Sequence, residues 1–383
     1  MNNLPKNDIQ QLQTVTGPGR YIFTLPHWPA KGPIKDTMRR TVFAALLTLV
    51  LAISLPAQET PISQTPASQE TPADLAKDFM REGDYTNAIL VLNKAIEQQG
   101  SNIQLKKDLA FAYYMNREYS RAQAVIRPIV DGRDADVQSY QMLGMVYKAT
   151  EERKEAEKMY KAALKRFPNS AVLHNEYGEM LWSRKDFPQA AEQWEKGIRS
   201  DPNYPGNYYN AAKYYYLTVD KVWALLYGEI FINLESFSKR TPEIKSLLLE
   251  GYKKLFTDND MMKNQNLKNE FVKAYLETMQ RQAQTISAGV TPDALSALRT
   301  RFILDWFGKY GEKFPYRLFD HHRQLAKEGM FDAYNQWIFG AAGNLSAFQQ
   351  WTATHNEAYE KFTTLQKSRV FKLPANQYYG DTK

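Results

Sequence analysis

The sequence predicts an all-α protein in which about five helix pairs stack into an α-solenoid, followed by an all-helical C-terminal domain. The first observation is a set of small residues that returns every 34 residues between positions 76 and 224. The second is a helical spacing of apolar residues that continues through most of the last third of the chain. A third feature, an apolar run near the N-terminus, bears on where the protein is located.

The 34-residue period is carried by two series of small residues. In the second half of each repeat they are Ala88, Ala122, Ala156, Ala190 and Ala224. In the first half they are Ala76, Ala110, Gly144, Gly178 and Ala212. A bulky residue follows the second-half series at Leu92, Ile126, Tyr160 and Trp194. Because small side chains let two backbones approach closely, we expect both series to lie where helices meet.

This combination of period and residue types resembles the tetratricopeptide repeat (TPR) family. The resemblance covers about residues 69–238 and is best in the repeats that begin at Val137 and Ala171. It implies a solenoid at residues 73–238 whose helix pairs bury their apolar faces only by stacking. Together with the N-terminal apolar run, it implies an exported bacterial scaffold or adaptor that binds another protein and is not an enzyme.

The fifth repeat departs from the pattern. Gly228 takes the place of the bulky residue, and Phe231 takes the place of the small residue that follows it. We therefore expect the end of the array to differ in its packing from the central repeats.

The resemblance also implies a binding surface, because the first helix of each TPR pair lines the concave side of the array. Its inward places hold Lys107, Phe111, Tyr114, Gln141, Met145, Lys148, Asn175, Glu179, Trp182, Tyr209, Lys213 and Tyr216. We expect this groove to bind a peptide or protein segment, with aromatic side chains as anchors. The alternative is that the aromatic residues belong to the core, because a register error of one turn would bury them.

Residues 239–372 are expected to form the helical C-terminal domain, packed on the end of the array. A Thr-Pro pair that is typical of a helix start occurs at Thr241 and again at Thr291. The domain could instead bind a small ligand or glycan, or act on a glycan, through a pocket lined by Trp306, Tyr310, Tyr316, Trp337 and Trp351. Residues 373–383 are expected to be a flexible tail.

The N-terminal region predicts export. Two arginines after Met38, an apolar run at residues 41–55 and the small residue Ala57 follow one another in the order of a secretory signal peptide, which we place at residues 38–57. Cleavage near Ala57 predicts a periplasmic or secreted protein. The alternative is an N-terminal membrane anchor.

The segments on either side of the signal lack the pattern of a folded domain. Residues 1–37 are rich in proline, and we expect a disordered extension that arises from a translation start upstream of the true one. Residues 58–72 consist mostly of Thr, Pro, Gln, Ser and Glu, which predicts a disordered linker.

Composition argues against several other classes of protein. The chain has no Cys, which removes disulfides, thiolate metal ligands and thiol nucleophiles. Beyond residue 57 it holds 43 basic and 40 acidic residues, so it lacks the basic excess of a nucleic-acid binder. The sequence contains no Gly-rich phosphate motif and no His pair at metal-binding spacing. We therefore expect no cofactor, no metal and no catalytic residue.

Overall fold

Ten helices form five successive pairs in the first part of the computed structural model, which describes residues 71–100, 102–257 and 261–380. The pairs are α1 (Pro72–Glu82) with α2 (Tyr85–Gln99), α3 (Ile103–Met115) with α4 (Tyr119–Asp131), α5 (Val137–Ala149) with α6 (Arg153–Arg166), α7 (Ala171–Ser183) with α8 (Phe187–Ser200), and α9 (Pro205–Leu217) with α10 (Lys221–Leu234). Each helix packs on its partner and each pair packs on the next. The predicted all-α solenoid is therefore confirmed.

The small residues lie where the helices meet, as the sequence predicts. The alanines of both series are at most 4% exposed. A methyl group added at Gly144 would overlap the ring of Tyr160, and one added at Gly178 would overlap the indole of Trp194. Each glycine thus makes room for the bulky residue of its own repeat, and the same arrangement returns in the next helix pair.

The turn inside each of the first four pairs shares one backbone conformation. Gly83, Arg117, Glu151 and Lys185 are 34 residues apart, and each has a positive φ, from 59° to 82°. This left-handed conformation ends the first helix and lets the chain reverse into the second. Only glycine adopts it at no steric cost, so helix packing imposes it in the other three repeats.

The fifth pair differs because a further helix packs against it. This helix, α11 (Thr241–Thr257), lies on α10. A methyl group added at Gly228 would lie 3.1 Å from Leu248 Cδ2 and 3.3 Å from Ile244 Cγ2. Gly228 therefore replaces the bulky residue of the earlier repeats because α11 itself fills that space.

Further helices continue the structure after α11. They are α12 (Glu270–Arg281), a short 3₁₀ helix (Ala283–Ile286), α13 (Pro292–Lys309), α14 (Arg317–Lys327), α15 (Phe331–Gly343), α16 (Leu345–Thr354) and α17 (Asn356–Ser368). The helix α15 is central, since it contacts α11, α13, α14, α16 and α17. One apolar core runs from the second repeat into these helices, so the array and the C-terminal helices form one compact unit.

Residues 373–380, which we call the C-terminal strap, differ from the flexible tail that we expected. Leu373 is buried, and Asn203 binds both its N–H, at 2.8 Å, and its carbonyl, at 3.1 Å. The hydroxyl of Tyr378 donates to Glu195 at 2.5 Å. Proline and glycine residues keep this segment from being helical, but its aromatic and apolar side chains still pack on the rest of the protein.

Several N-terminal expectations concern residues outside the described ranges. These are the extension at residues 1–37, the signal peptide at 38–57 and the linker as far as residue 70. In the ranges that are described, no helix combines the length and the apolar character that crossing a membrane requires.

Candidate protein-interaction surface

Polar side chains link the first helices of neighbouring pairs to one another. Between α5 and α7, Gln141 Nε2 donates to Glu176 Oε1 at 2.7 Å. Further along the same two helices, Lys148 Nζ lies 3.2 Å from Glu179 Oε2. Both contacts join residues about one repeat apart, so these side chains lie on the same side of the array.

The same row of contacts continues through α7, α9 and α11. Asn210 Nδ2 donates to Oδ1 of Asn175 at 2.9 Å, and Asn175 itself is buried. The hydroxyl of Tyr209 donates to Glu243 at 2.5 Å, and Lys213 Nζ lies 2.7 Å from the same carboxylate. The helix α11 therefore takes the place of the first helix of another repeat. The first helices α3, α5, α7 and α9 and the helix α11 lie side by side. We call their surface, on the side of these contacts, the inner face.

The predicted lysines of the inner face do not form a free positive edge. Lys148 and Lys213 make the ion pairs described above, and Lys107 is only 8% exposed and lies 2.8 Å from Asp136. The cause lies in the start of α5, where one oxygen of Asp136 caps the helix by accepting the N–H of Ser139 while the other oxygen meets Lys107. Lys107 is thus further from solvent than the sequence predicts.

The sequence left open whether the aromatic residues of the inner face are exposed for binding or buried in the core. These residues and Met145 are half-buried. They are Phe111, Tyr114, Met145, Trp182, Tyr209 and Tyr216. The ring of Trp182 lies 4.8 Å from that of Phe187 and 5.6 Å from that of Trp194. The ammonium group of Lys254 lies 4.0 Å from the centre of the Tyr216 ring. The protein thus holds both rings in place and leaves part of their surface exposed.

Glu176 belongs to the inner face although sequence analysis did not single it out. Besides the bond from Gln141, its carboxylate accepts one from the hydroxyl of Tyr160 at 3.1 Å. Burial raises the pKa of Glu176 to about 7, since it outweighs these two hydrogen bonds, and repulsion from Glu179 acts in the same direction. The sequence carries only a partial signal: the same place is polar at Asp108 and Asn210 but apolar at Met142.

The aromatic residues proposed to line a ligand pocket in the C-terminal helices do not surround an open site. Trp306, Tyr316 and Trp337 are buried in the core. Trp351 is half-buried, and the hydroxyl of Tyr310 is bound to a carboxylate of α12 at 2.5 Å. These side chains are used in packing, and their geometry does not favour a glycan site.

A buried polar cluster connects α10 with the C-terminal helices. Glu229 accepts a hydrogen bond from Arg299, and its Oε1 lies 2.7 Å from His322 Nε2 and 2.8 Å from the hydroxyl of Tyr334. Burial alone would raise the pKa of Glu229, but attraction to Arg299 and His322 outweighs it and lowers the pKa to about 2. The cavity beside the cluster has room for about one water molecule. The cluster joins α10 to α13, α14 and α15.

Comparison with protein families agrees with the repeat pattern. Residues 79–144 and residues 142–207 each match a family model described as tetratricopeptide repeat. The matched segment, which includes α2 to α8 and three of the five helices of the inner face, is therefore similar to TPR repeats. Repeats of this family stack into arrays that typically serve as non-enzymatic scaffolds for protein–protein interaction.

The chain is also similar to solved TPR structures. A thermophilic TPR protein of Thermus thermophilus shares 16% identity, with a TM-score of 0.40 over 46% of this chain and 97% of that one. The C-terminal part of a TPR repeat-containing protein from Cytophaga hutchinsonii shares 18% identity, with a TM-score of 0.36 over 60% and 93%. YrrB, a TPR protein with an unusual peptide-binding site, shares 18% identity, with a TM-score of 0.34 over 45% and 90%. No curated protein matched the sequence.

Proposed function

We propose that this chain is a non-enzymatic scaffold of the cell envelope that binds a peptide or protein segment along the inner face. The proposed contact residues are those predicted from the sequence, together with Glu176. The C-terminal helices extend the array through α11 and stabilise its end.

The observation that carries this proposal is the row of polar contacts between α5, α7, α9 and α11. It aligns hydrogen-bonding side chains of successive repeats, such as Gln141, Glu179 and Asn210, along a single surface. Half-exposed apolar groups such as Met145 and Trp182 lie on the same helices. A segment laid along this surface would meet polar and apolar groups in turn, which is the mixture that peptide recognition needs.

The charges of the inner face favour a protein partner over a nucleic acid. Nucleic-acid binding relies on cations that are free to meet phosphates. On the inner face, the ammonium groups of Lys107, Lys148 and Lys213 instead lie beside carboxylates of the neighbouring helix.

The proposed location outside the cytoplasm is supported by the charge, apolar run and small residue at 38–57. Mass spectrometry of the mature N-terminus tests it. We expect a chain that begins just after Ala57, and a mature chain that retains residues 1–37 would contradict both the signal and the proposed start site.

Substituting two anchors tests the binding surface. In a Trp182→Ala/Tyr216→Ala variant, two half-exposed rings of the inner face are lost, so we expect weaker capture of partner proteins from envelope extract. Quantitative mass spectrometry of the captured proteins measures the change.

The matched control removes exposed apolar groups elsewhere. Leu90 in α2 is 63% exposed and Leu304 in α13 is 71% exposed. A Leu90→Ala/Leu304→Ala variant should capture the same proteins as the unmodified chain, and circular dichroism should show that both variants are folded. If the Trp182 and Tyr216 variant also captures an unchanged set, the inner face is not the binding surface.

A further inference from the structure

We propose that the inner face recognises a positively charged side chain of its partner, and that Glu176 is the residue that binds it. This inference rests on the proposed function, because it gives the chemistry of the segment that the inner face takes. The partner would present a Lys or Arg side chain at one fixed position of the bound segment.

The immediate neighbours of Glu176 are neutral. Its carboxylate accepts hydrogen bonds from the amide of Gln141, at 2.7 Å, and from the hydroxyl of Tyr160, at 3.1 Å. Both groups orient the carboxylate, but neither carries a charge. The residue as a whole is half-buried, so part of it is accessible from solvent.

Two other acidic residues of the inner face each have a cation of this chain beside them. Glu179 lies 3.2 Å from Lys148, and Glu243 lies 2.7 Å from Lys213. Glu176 lies on the same helix as Glu179, and the one cation that acts on it, Lys148, is already paired with Glu179. A carboxylate held by neutral donors on a surface of paired charges is the place where a cation from a partner gains most.

The groups that act on Glu176 come from several elements. The ionisable and polar groups that act on it, with their elements, are Gln141 and Lys148 of α5, Tyr160 of α6, Glu179 of α7 and Tyr204 before α9. Lys148 is the one cation among them, and it is already bound to Glu179. A cation of the partner would therefore meet a site to which Glu179 adds negative charge.

The same arrangement makes recognition depend on pH. Burial raises the pKa of Glu176 to about 7, so the carboxyl is partly protonated near neutral pH. A bound cation favours the ionised form, so binding releases a proton and affinity rises as pH increases through about 7. Above that range the carboxylate is already ionised and the dependence levels off.

Selection of peptides on the full chain tests the proposal. A phage-displayed library of random peptides is panned on the unmodified protein at about pH 8, where Glu176 is ionised. We expect the selected peptides to share a Lys or Arg at one position. A Glu176→Gln substitution should weaken a selected peptide about tenfold or more, because a charge-assisted hydrogen bond is lost. The matched control is Glu97→Gln, which removes an exposed carboxylate of α2 and should leave affinity unchanged.

The outcomes separate this inference from the proposed function. If peptides bind the inner face but share no basic residue, or if the Glu176→Gln variant binds them equally well, the role of Glu176 is wrong while peptide binding stands. If Trp182→Ala/Tyr216→Ala leaves the affinity of every selected peptide unchanged, or no peptide is selected, both proposals fail. The increase of affinity between about pH 6 and about pH 8 should be present in the unmodified chain and absent from the Glu176→Gln variant.

Discussion

The repeat array and the C-terminal helices are held together by different kinds of contact. In the array, a glycine faces an aromatic ring in the same way in successive repeats, as with Gly144 and Tyr160. Between α10 and the C-terminal helices, a buried carboxylate, Glu229, meets Arg299 and His322. The first kind of contact repeats along the chain, whereas the second brings together residues from distant positions once.

This difference determines how each region should respond to substitution. A contact between a small and a large residue tolerates no added volume, but it involves no charge. A buried ion pair tolerates the loss of neither partner, because the remaining charge would have no counter-charge in an apolar environment. The four predictions below use this contrast: three substitutions, from the largest expected effect to the smallest, and then the pH dependence of the array.

Breaking the buried ion pair should cost most. An Arg299→Met substitution leaves the carboxylate of Glu229 buried, and we expect the free energy of unfolding to fall by about 3–5 kcal/mol. Urea unfolding measures it. A Glu229→Gln/Arg299→Met double variant should regain part of the loss, because it removes the unpaired charge. A loss below about 1 kcal/mol in the single variant would show that charge does not hold this region together.

Adding one methyl group to the seam of the array should cost less. A Gly178→Ala substitution places a methyl group against the indole of Trp194, and we expect a loss of about 1–3 kcal/mol. Gly308 in α13 is the matched control, since an added methyl group there meets nothing within 4 Å. Gly308→Ala should stabilise the protein by up to about 1 kcal/mol, because alanine favours the helix. Equal stabilisation by both substitutions would contradict the packing of the seam.

The contrast between these two variants also shows what the sequence could predict. The alanines and glycines of the seam were found from their spacing, because stacking imposes the same volume limit in every repeat. The turn at Lys185 has a left-handed backbone that its residue type does not favour, so only the structure revealed it. The buried cluster was not predictable either, since Glu229, Arg299 and His322 have no fixed spacing.

The inner face was predicted in part, because its residues also follow the repeat. Its residues were placed correctly on the first helices, because the register is periodic. Their exposure was not predicted, because it depends on the neighbouring repeat: Asp136, at the start of α5, covers Lys107 of α3. The C-terminal strap was mistaken for a flexible tail because proline and glycine indicate the absence of a helix and do not indicate whether a segment packs.

The strap should contribute a moderate amount of stability. Tyr378→Phe removes the hydroxyl that donates to Glu195, and we expect a loss of about 1–2 kcal/mol, since Glu195 keeps its bonds from Tyr215 and Tyr227. Denaturation in urea, together with limited proteolysis of the C-terminus, measures it. Val370→Ala, at a residue that is 72% exposed, should change stability by less than about 0.5 kcal/mol. If the two variants behave alike, the contact of Tyr378 does not secure the strap.

The fourth prediction concerns the pH dependence of the array. The pKa of Glu176 is raised in the folded state from 4.5 to about 7, so the folded protein binds more protons than the unfolded chain between these values. Stability should therefore fall as pH rises from about 4.5 to about 7 and level off above. In Glu176→Gln this part of the pH dependence should disappear. Urea midpoints at about pH 5 and about pH 8 measure the difference, and an identical difference in both proteins would contradict burial of the carboxyl.

Site-specific photocrosslinking in the source cells tests most directly whether the inner face binds a partner. A photoreactive amino acid is placed at Met145 on the inner face, or at Lys158, an exposed residue of α6. We expect a crosslinked protein partner from position 145 and none from position 158. Crosslinks to the same partner from position 158, with none from position 145, would contradict the assignment of the binding surface.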